Sequence, residues 1–318
     1  MKSDPKGAGM ITVVGSSNID FITYTDKLPK PGETVTGNEF KVTAGGKGAN
    51  QAAAAARLGV ETNMLGKIGG KDRYADLLMD GFKWAGVETK YIAVEEDTYC
   101  GTAVILVDKN AQNCVTIIAH ANGLMDREYL DKHRELIAAS KIVVVEFGIP
   151  LETAEYAAAL ARKEGALTIV NPAPAKPMSD RFYRLSDILV PNETETELLS
   201  GVFPGNADSK KKAADFFHSK GVENVVITLG EGGVYLSGEK EAADFPICCV
   251  EAVETTGAGD SFVGALAAGL HQDRPLHDAI SYACVAAAVS VTSKGTLYSM
   301  PAKDEVEAYL TSQFRSIE

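Results

Sequence analysis

Short apolar runs rich in β-branched residues alternate along the chain with longer segments in which apolar residues recur at helical spacing. The apolar runs are nearly continuous, which is typical of strands buried on both faces of a parallel sheet. Their alternation with helices predicts an α/β fold, a doubly wound and mostly parallel sheet in three layers. The predicted strands are Ile11–Val14, Asn63–Ile68, Lys141–Glu146, Leu167–Val170, Ile188–Val190 and Val225–Leu229. The predicted helices are Gly48–Leu58, Arg73–Trp84, Arg127–Ala139, Glu152–Lys163, Glu193–Leu199, Lys210–Ser219, Ala258–Leu270, Leu276–Thr292 and Lys303–Ser312.

Three regions interrupt this alternation, because their strands carry alternating polar residues and have no crossover helix. They are Phe21–Thr25, Glu33–Thr43 and Thr102–Ile118. Strands of this kind form antiparallel sheets that leave one face open. We therefore predict a small β-sheet lid, formed by residues 16–43 and 100–118, that stands off the main sheet. The α/β domain takes residues 1–15, 44–99 and 119–318.

The charge of the chain limits the classes of partner that it can bind. Lys and Arg number 31 against 43 Asp and Glu, which gives a formal net charge of −12. Such a chain is not expected to bind nucleic acid or an anionic membrane, although local backbone N–H groups can still hold a small phosphorylated ligand. No apolar stretch is long enough to span a bilayer. The chain has five cysteines, and this odd number does not indicate a disulfide framework. We therefore expect reduced cysteines and a location in the cytoplasm.

The segment Val253–Phe262 is the most informative for chemistry. Gly257 and Gly259 precede an apolar-periodic helix that begins near Asp260. Glycine permits close backbone approach, and the first N–H groups of a helix lack intrahelical partners, so the segment can form an anion hole. Asp260 either stabilises the start of the helix or acts as a general base, removing a proton from a hydroxyl as that oxygen attacks a phosphoryl group.

Two earlier segments carry polar residues suited to a hydroxylated ligand. Thr43–Gln51 holds three glycines, a lysine and an asparagine, but it lacks the spacing of a Walker loop. It is otherwise a loop before an Ala-rich helix. Gly15–Asp20 follows the first predicted strand, at the edge where open α/β sheets bind ligands. Asn18 and Asp20 can bond to sugar hydroxyls, although both residue types are also common in turns.

Two later segments suit a nucleotide and its metal ion. Asn192 and Glu195 share one side of a helical turn, where an amide and a carboxylate can hold water around Mg²⁺. An acidic helix N-terminus explains these two residues equally well. Thr228–Gly233 is a glycine-rich turn after a buried strand, and it either approaches a nucleotide or simply connects two strands.

Taken in this order, the segments resemble the ribokinase/phosphofructokinase-B family of sugar kinases, from about Ile11 to Leu310. The matching segments are GSSNID, PGETVTGNEF, AGGKGANQAAAAARLG, NPAPA, PNETE, ITLGEGGV, TTGAGDSFVGAL and SKG. The resemblance implies a three-layer α/β domain whose β-sheet lid covers the sugar and often forms the contact of a homodimer. It also implies transfer of the γ-phosphoryl group of ATP to a sugar hydroxymethyl, here O5 of D-ribose, to give D-ribose 5-phosphate and ADP.

Individual roles are carried over from the family only to matching positions. The residues implied for catalysis are Asp260 as general base and, through their backbone N–H groups, Gly257, Ala258 and Gly259 as anion hole. Those implied to hold the sugar are Asn18, Asp20, Gly46, Lys47 and Asn50. Those implied for ATP and hydrated Mg²⁺ are Asn192, Glu195, Thr228, Gly230, Glu231, Gly233 and Gly259. Those matching the loops around an activating K⁺ are Glu254, Thr256, Ser290, Ser293, Gly295 and Ser299.

Two positions depart from the family pattern. Glu254 stands where many members have Asp, which bears on the dependence on K⁺. Gly148 stands where the pattern has a sugar-contacting Glu, and Glu146 is the candidate that replaces it. Other substrates therefore stay open, namely deoxyribose, fructose, a ketodeoxy-sugar acid or a nucleoside. A non-catalytic nucleotide-sensing protein on the same fold is the alternative from another class.

Overall fold

The computed structural model describes residues 9–110, 112–238 and 241–315. The parts of the predicted domains at 1–8, 111, 239–240 and 316–318 lie outside the described residues. The strands of the described chain, β1 to β13, are Met10–Val14, Asn18–Thr25, Gly37–Gly45, Thr62–Gly69, Ile92–Glu95, Gly101–Val107, Asn113–Ile118, Ser140–Glu146, Leu167–Asn171, Ile188–Leu189, Asn224–Thr228, Val234–Gly238 and Ala242–Phe245. The α-helices, α1 to α11, are Lys47–Arg57, Tyr74–Ala85, Arg127–Lys132, Arg134–Ala139, Leu151–Lys163, Asp180–Leu185, Glu193–Ser200, Ala207–Ser219, Ala258–His271, Leu276–Ser290 and Lys303–Arg315.

Nine of the described strands form one large sheet, in the order β13-β12-β11-β10-β9-β8-β1-β4-β5. The pairs from β11 to β5 are parallel, whereas β12 and β13 add an antiparallel edge. The order of the strands reverses at β1, which lies between β8 and β4. The predicted doubly wound, mostly parallel sheet is therefore confirmed. In such sheets, ligands bind beyond the carboxyl ends of the strands at the point of reversal.

Alternate residues of the central strands face two separate hydrophobic cores. Ile142 and Val144 of β8 join the core formed with α1, α2, α9 and α10. Val143 and Val145 of the same strand join the core beneath α3 to α6 and α8. All four side chains are buried, which explains why these strands are apolar without alternation. The predicted three layers are confirmed.

Four described strands form a separate, smaller sheet in the order β3-β2-β6-β7. They correspond to the three predicted lid regions, of which the last contains two strands. β2 pairs antiparallel with β3 but parallel with β6, so the prediction of an antiparallel sheet is wrong for this pair. The chain between β3 and β6 passes through α1, β4, α2 and β5, and this long crossover brings β6 back in the direction of β2.

The structure differs from the sequence prediction mainly at short elements. The predicted helix Arg127–Ala139 is two helices, because His133 has a non-helical backbone with φ −112°. The His133 ring packs edge-on against Tyr91 and Tyr129 at the break. The prediction also omitted β5, β12, β13 and α6, which are four to six residues long. Within the described residues, no helix combines the length and apolar character needed to cross a membrane.

Candidate active site

The first part of the site lies where β1 ends and β2 begins, at the reversal of the large sheet. Asn18 and Asp20 are only 4% and 3% exposed, and as alternate residues of β2 they share one face. Asn122 holds this segment, since its Nδ2 donates to Asn18 Oδ1 at 2.8 Å and to Ser17 O at 3.1 Å. Its Oδ1 accepts from Ser17 N at 2.9 Å. The Asn18 amide is thereby turned so that its own Nδ2 can donate to a ligand.

The Asp20 carboxylate contacts the segment that follows α10. Thr296 Oγ1 lies 3.0 Å from Asp20 Oδ2 and 3.0 Å from Ala44 O. Burial raises the pKa of Asp20 to about 7; the Thr296 hydroxyl opposes the rise, and the charges of Asp260 and Glu254 add to it. Burial favours the neutral form of the Asp20 carboxyl group, and additional hydrogen-bond donors would stabilise its charged form. Ligand hydroxyls can supply those donors.

The turn between β3 and α1 approaches both polar residues closely. A Cβ on Gly45 would lie 2.0 Å from Asp20 Oδ2, and one on Gly46 would lie 2.5 Å from Asn18 N. Gly46 also has φ +95°, in the region that L side chains avoid. The adjacent glycines of the Thr43–Gln51 segment are therefore needed for this close approach.

The positive charge of Lys47 acts on several carboxylates of the site. It opposes the rise in the pKa of Asp20, Glu146 and Glu195. Burial lowers the pKa of the Lys47 ammonium, but nearby carboxylates outweigh burial and the net shift is upward. The carboxylates that act on it are those of Asp260, Glu195, Glu146 and Asp20. The structure thus brings the predicted sugar, base and metal-ion residues together around one ammonium group.

Asp260 lies in the first turn of α9 and is 7% exposed. Its Oδ2 accepts from Asn50 Nδ2 at 2.9 Å, and its Oδ1 accepts from Gln51 Nε2 at 3.0 Å. The N-cap of α9 is Gly257, with φ +88° and no side-chain cap bond. The bonds of Asp260 therefore run to α1 and do not cap its own helix, although its carboxylate still lies in the first turn, where it is favourable to the helix dipole.

The N-terminus of α9 offers free backbone N–H groups next to Asp260. Ala258 N donates to Thr255 O at 3.2 Å in the turn that starts the helix. Within the described residues, the N–H groups of Gly257 and Gly259 have no such acceptor. A Cβ on Gly259 would meet nothing within 4 Å, so open space adjoins this turn. Together with the helix dipole, these N–H groups suit an anion.

The segment before α7 forms a capping box. Asn192 Oδ1 accepts from Glu195 N at 2.8 Å, and Glu195 Oε2 accepts from Asn192 N at 2.9 Å. Burial raises the pKa of Glu195, while the Asn192 N–H and the Lys47 charge oppose the rise. The sequence left a helix start and a metal-ion site as alternatives, and the structure shows the helix start. One carboxylate oxygen, Oε1, is left over for a further partner.

The turn after β11 contains the remaining residues predicted for the nucleotide. Thr228 forms an isolated bridge with Asn192, which puts the ends of these two strands side by side. Gly233 has φ +82°, and a Cβ there would lie 2.0 Å from Phe245 O. Gly230 and Glu231 form an exposed turn. Gly233 is therefore required by the local fold, whatever the turn binds.

The two loops predicted to surround a cation meet at Glu254. Its Oε2 accepts from Gly295 N at 3.0 Å and from Tyr24 Oη at 2.9 Å, and its Oε1 is buried without a hydrogen-bond partner. The residues predicted with it in these loops are Thr256, Ser290, Ser293, Gly295 and Ser299. Among the described residues, no group of three or more His, Cys, Asp or Glu side chains could hold a metal ion. A cation here would depend mainly on carbonyl and hydroxyl oxygens.

Glu146 is fully buried at the end of β8. Its Oε1 accepts from Ser16 N and its Oε2 from Gly148 N. Burial raises the pKa of Glu146, and the two backbone N–H groups only partly oppose the rise. A Cβ on Gly148 would lie 2.4 Å from Ser16 Oγ. Glu146 therefore joins the loops after β1 and β8, and Ser16 leaves no room for a side chain at position 148.

Sequence reasoning gave no role to several residues that hold the site. Gln51 and Asn171 lay inside the segments that were compared with the family, so their positions were visible although their partners were not. Asn122 lies outside any polar motif and Thr296 lies next to the SKG segment, and their contacts span 104 and 276 residues. No local signal could have connected them to the site.

The model of the pfkB family of carbohydrate kinases matches residues 8–303, and the chain belongs to that family. It is 38% identical over 300 residues to the ribokinase of Haemophilus influenzae, covering 94% of this chain and 98% of that one. It is 37% identical over 302 residues to the deoxyribokinase of Salmonella typhi, covering 95% of this chain and 98% of that one. Its fold matches the solved structure of Arabidopsis thaliana ribokinase complexed with ribose and ATP, with a TM-score of 0.88, 30% identity, and coverage of 95% of this chain and 99% of that one. The predicted family and fold are confirmed.

Proposed function

We propose that the protein is an ATP-dependent ribokinase that converts D-ribose and ATP to D-ribose 5-phosphate and ADP. The observation that carries the proposal is the Asp260 carboxylate, buried, fixed by two amides and adjacent to the free N–H groups at the start of α9. Among the relatives, proteins named ribokinase align over nearly the whole chain, and one ribokinase structure contains ribose and ATP.

In the proposed reaction, Asp260 accepts the proton of the ribose O5 hydroxyl as that oxygen attacks the γ-phosphorus. A new O5–P bond forms, the bond from the γ-phosphorus to the β–γ bridging oxygen breaks, and ADP leaves. The N–H groups of Gly257 and Gly259 stabilise the negative charge on the transferring group. Phosphoryl transfer needs positioning and charge stabilisation more than covalent chemistry, and both features are available at this helix start.

The sugar would bind between the start of β2 and the N-terminus of α1. Asn18 offers an N–H donor, and Asp20 offers carboxylate acceptors whose side-chain hydrogen-bond partner is the Thr296 hydroxyl. Lys47 and Asn50 complete the polar surface, and the backbone of Gly46 can approach the sugar closely. We propose that the small sheet covers the sugar and excludes water, which would otherwise compete as the nucleophile.

The nucleotide phosphates and a hydrated Mg²⁺ would lie near Asn192 and Glu195. The donor set fits, because the capping box leaves Glu195 Oε1 for a water ligand and Mg²⁺ usually keeps several waters. When bound, Mg²⁺ neutralises charge on the phosphate oxygens. Thr228, Gly230, Glu231 and Gly233 would line the rest of the nucleotide site.

The proposal includes an activating K⁺ between the 254–256 and 290–299 loops. The buried and unpartnered Oε1 of Glu254 supports it, since a buried carboxylate oxygen without a donor needs a cation or water nearby. K⁺ there would fix the position of the turn that starts α9. Replacing K⁺ by Na⁺ in the activity assay tests the proposed K⁺ activation separately from the proposed kinase reaction.

Deoxyribose is the second candidate substrate, and one relative carries the name deoxyribokinase. Glu146 is completely buried and its two oxygens hold backbone N–H groups, so its side chain presents no surface to a sugar hydroxyl. A site with fewer sugar-specific contacts would discriminate less between ribose and its deoxy analogue.

The test is ADP release measured by a coupled assay with D-ribose, 2-deoxy-D-ribose, D-fructose and adenosine. We expect the highest kcat/KM with D-ribose and a 5-phosphate product, identified by ³¹P NMR. A clear preference for another member of the panel would change the substrate but keep the kinase. No sugar-dependent ADP release would support the non-catalytic alternative.

We further propose a cytoplasmic homodimer that forms through the small sheet. Val115 and Ile117 of β7 are 48% and 44% exposed, and their register with β6 and β2 puts them on the face that carries Asp20. Exposed apolar side chains on one sheet face are typical of a surface covered by a partner. Sedimentation velocity of wild type and of Val115→Lys would test it, with a monomer expected for the variant.

A further inference from the structure

The Asp260 carboxylate is held by two neighbouring residues of α1. Asn50 and Gln51 each donate one amide N–H to a different oxygen of Asp260, at 2.9 and 3.0 Å. The two donors differ in exposure, because Asn50 is 4% exposed whereas Gln51 is completely buried. Asn50 can therefore contact a ligand as well, but Gln51 can contact only protein.

The Gln51 amide is itself held by a hydrogen bond to a second side chain. Its Nε2 also donates to Asn171 Oδ1 at 3.0 Å, and Asn171 Nδ2 donates to Val190 O at 2.8 Å. The nitrogen of Gln51 must face this way, since both groups within reach are acceptors. The chain of bonds therefore starts at a backbone carbonyl just beyond β10 and ends on Asp260.

α1 and α9 also pack closely at the same place. A Cβ on Gly264, one helical turn after Asp260, would lie only 2.4 Å from the backbone oxygen of Gln51. The absence of a side chain at Gly264 lets the two helices approach until the Gln51 amide reaches Asp260. A shorter side chain in place of Gln51 would leave this carboxylate oxygen without a donor.

We propose that Gln51 is a positioning residue that fixes the rotation of the Asp260 carboxylate, with Asn171 as its anchor. This inference rests on the proposed function, since it concerns the proposed base. Two amide donors on opposite oxygens restrict rotation of the carboxylate, so that the remaining lone pairs keep one direction. Neither amide titrates, so the restraint does not change with pH in the physiological range.

The main test compares wild type with Gln51→Leu, which has similar volume but no donor, in the ADP-release assay with D-ribose. We expect kcat to fall about 10- to 100-fold, as for a small misplacement of a reacting group. The KM values for D-ribose and ATP should change less than about twofold, because Gln51 touches neither substrate. An unchanged kcat, or a loss confined to KM, would overturn the inference.

Two further variants keep the test decisive. Gln272→Leu is the matched control, because Gln272 Nε2 also joins the two helices, through Leu58 O at 3.3 Å, but far from Asp260. Its kcat should stay within about twofold of wild type, and an equal loss would indicate general loosening of the helices. Asn171→Ala should lower kcat on its own, and adding it to Gln51→Leu should cost little more.

The outcomes separate this inference from the proposed function. Wild type that fails to phosphorylate any sugar overturns both. Active wild type with an active, folded Gln51→Leu overturns only the positioning role. If the thermal transition shows that Gln51→Leu does not fold, the kcat of Asn171→Ala is the test. A kcat of Asn171→Ala equal to that of wild type would overturn the inference.

Discussion

Asp260 and Asp20 are both buried carboxylates of the same site, yet their surroundings differ. Asp260 accepts one amide N–H on each oxygen, and both donors come from α1. Asp20 has a single hydroxyl as its side-chain partner, that of Thr296, and burial raises its pKa to about 7. The protein alone therefore fixes the Asp260 carboxylate, whereas the Asp20 carboxylate can accept further hydrogen bonds from a ligand.

The hydroxyl of Thr296 is shared between Asp20 and a backbone carbonyl oxygen. Its hydroxyl lies 3.0 Å from both Asp20 Oδ2 and Ala44 O, but it has only one hydrogen. Ionised Asp20 needs that hydrogen and leaves Ala44 O without it. Protonated Asp20 can instead donate to Thr296, which then donates to Ala44 O. The protonated form therefore lets all three groups form hydrogen bonds, while burial is the main cause of the raised pKa of Asp20.

The largest expected effect comes from Asp260→Asn, which keeps the shape of the side chain but removes the proposed base. We expect kcat to fall by roughly 10²- to 10⁴-fold, the usual contribution of general base catalysis. Binding of ATP and D-ribose, measured by calorimetry, should change little. A variant with more than about a tenth of wild-type kcat would contradict the assigned role.

Asp20→Asn should act on binding instead of the chemical step. Losing a charged acceptor for sugar hydroxyls should raise the KM for D-ribose about 10- to 100-fold, with a smaller change in kcat. The same variant should raise the Tm of the ligand-free protein at pH 8, because it removes a poorly solvated charge. Equal losses in kcat from Asp20→Asn and Asp260→Asn would contradict the proposal that Asp20 binds the sugar and Asp260 acts in the chemical step.

The pH dependence should show the raised pKa of Asp20. If its ionised form binds the sugar, kcat/KM for D-ribose should rise about tenfold between pH 6 and pH 8, and Asp20→Asn should lose this rise. Stability should move the other way. The pKa of Asp20 in the folded protein lies above the unfolded value of 3.8, so the folded protein binds more protons than the unfolded chain in this range. The contribution of Asp20 to the free energy of unfolding is therefore lost as pH rises from 3.8 to about 7. A flat kcat/KM profile would contradict this account.

The smallest effect is expected at Thr296. Thr296→Val removes the hydroxyl but keeps the volume, and it should raise the KM for D-ribose about two- to tenfold with kcat nearly unchanged. Thr296→Ser keeps the hydroxyl and should restore wild-type KM. Steady-state kinetics on both variants would check this, and a loss shared by Val and Ser would point to packing instead of hydrogen bonding.

The sequence predicted the parts of the site that depend on local patterns. Asp260 was predicted from its place after two glycines at a helix start, and the strand ends were predicted from apolar runs. The Asn192–Glu195 pair could not be resolved, because a capping box and a metal-ion site use the same residue types at the same spacing. The structure shows the box, and the ion remains a proposal.

The remaining features depend on contacts between distant parts of the chain. Asn122 and Thr296 are distant in sequence from Asn18 and Asp20, and only the folded chain brings them together. The parallel pairing of β2 with β6 is of the same kind. Hydrophobic periodicity reports which face of a strand is buried, but it carries no information about which strand lies beside it.

The interleaving of the two sheets has a consequence for how the molecule is made. β2 and β3 precede α1, whereas β6 and β7 follow β5, so a ribosome releases half of the small sheet well before the other half. Until β6 emerges, one edge of β2 has unpaired backbone groups and stays open to other chains. The small sheet can therefore close only after β1, β4 and β5 of the large sheet have been synthesised, and no contiguous fragment of the chain contains it alone.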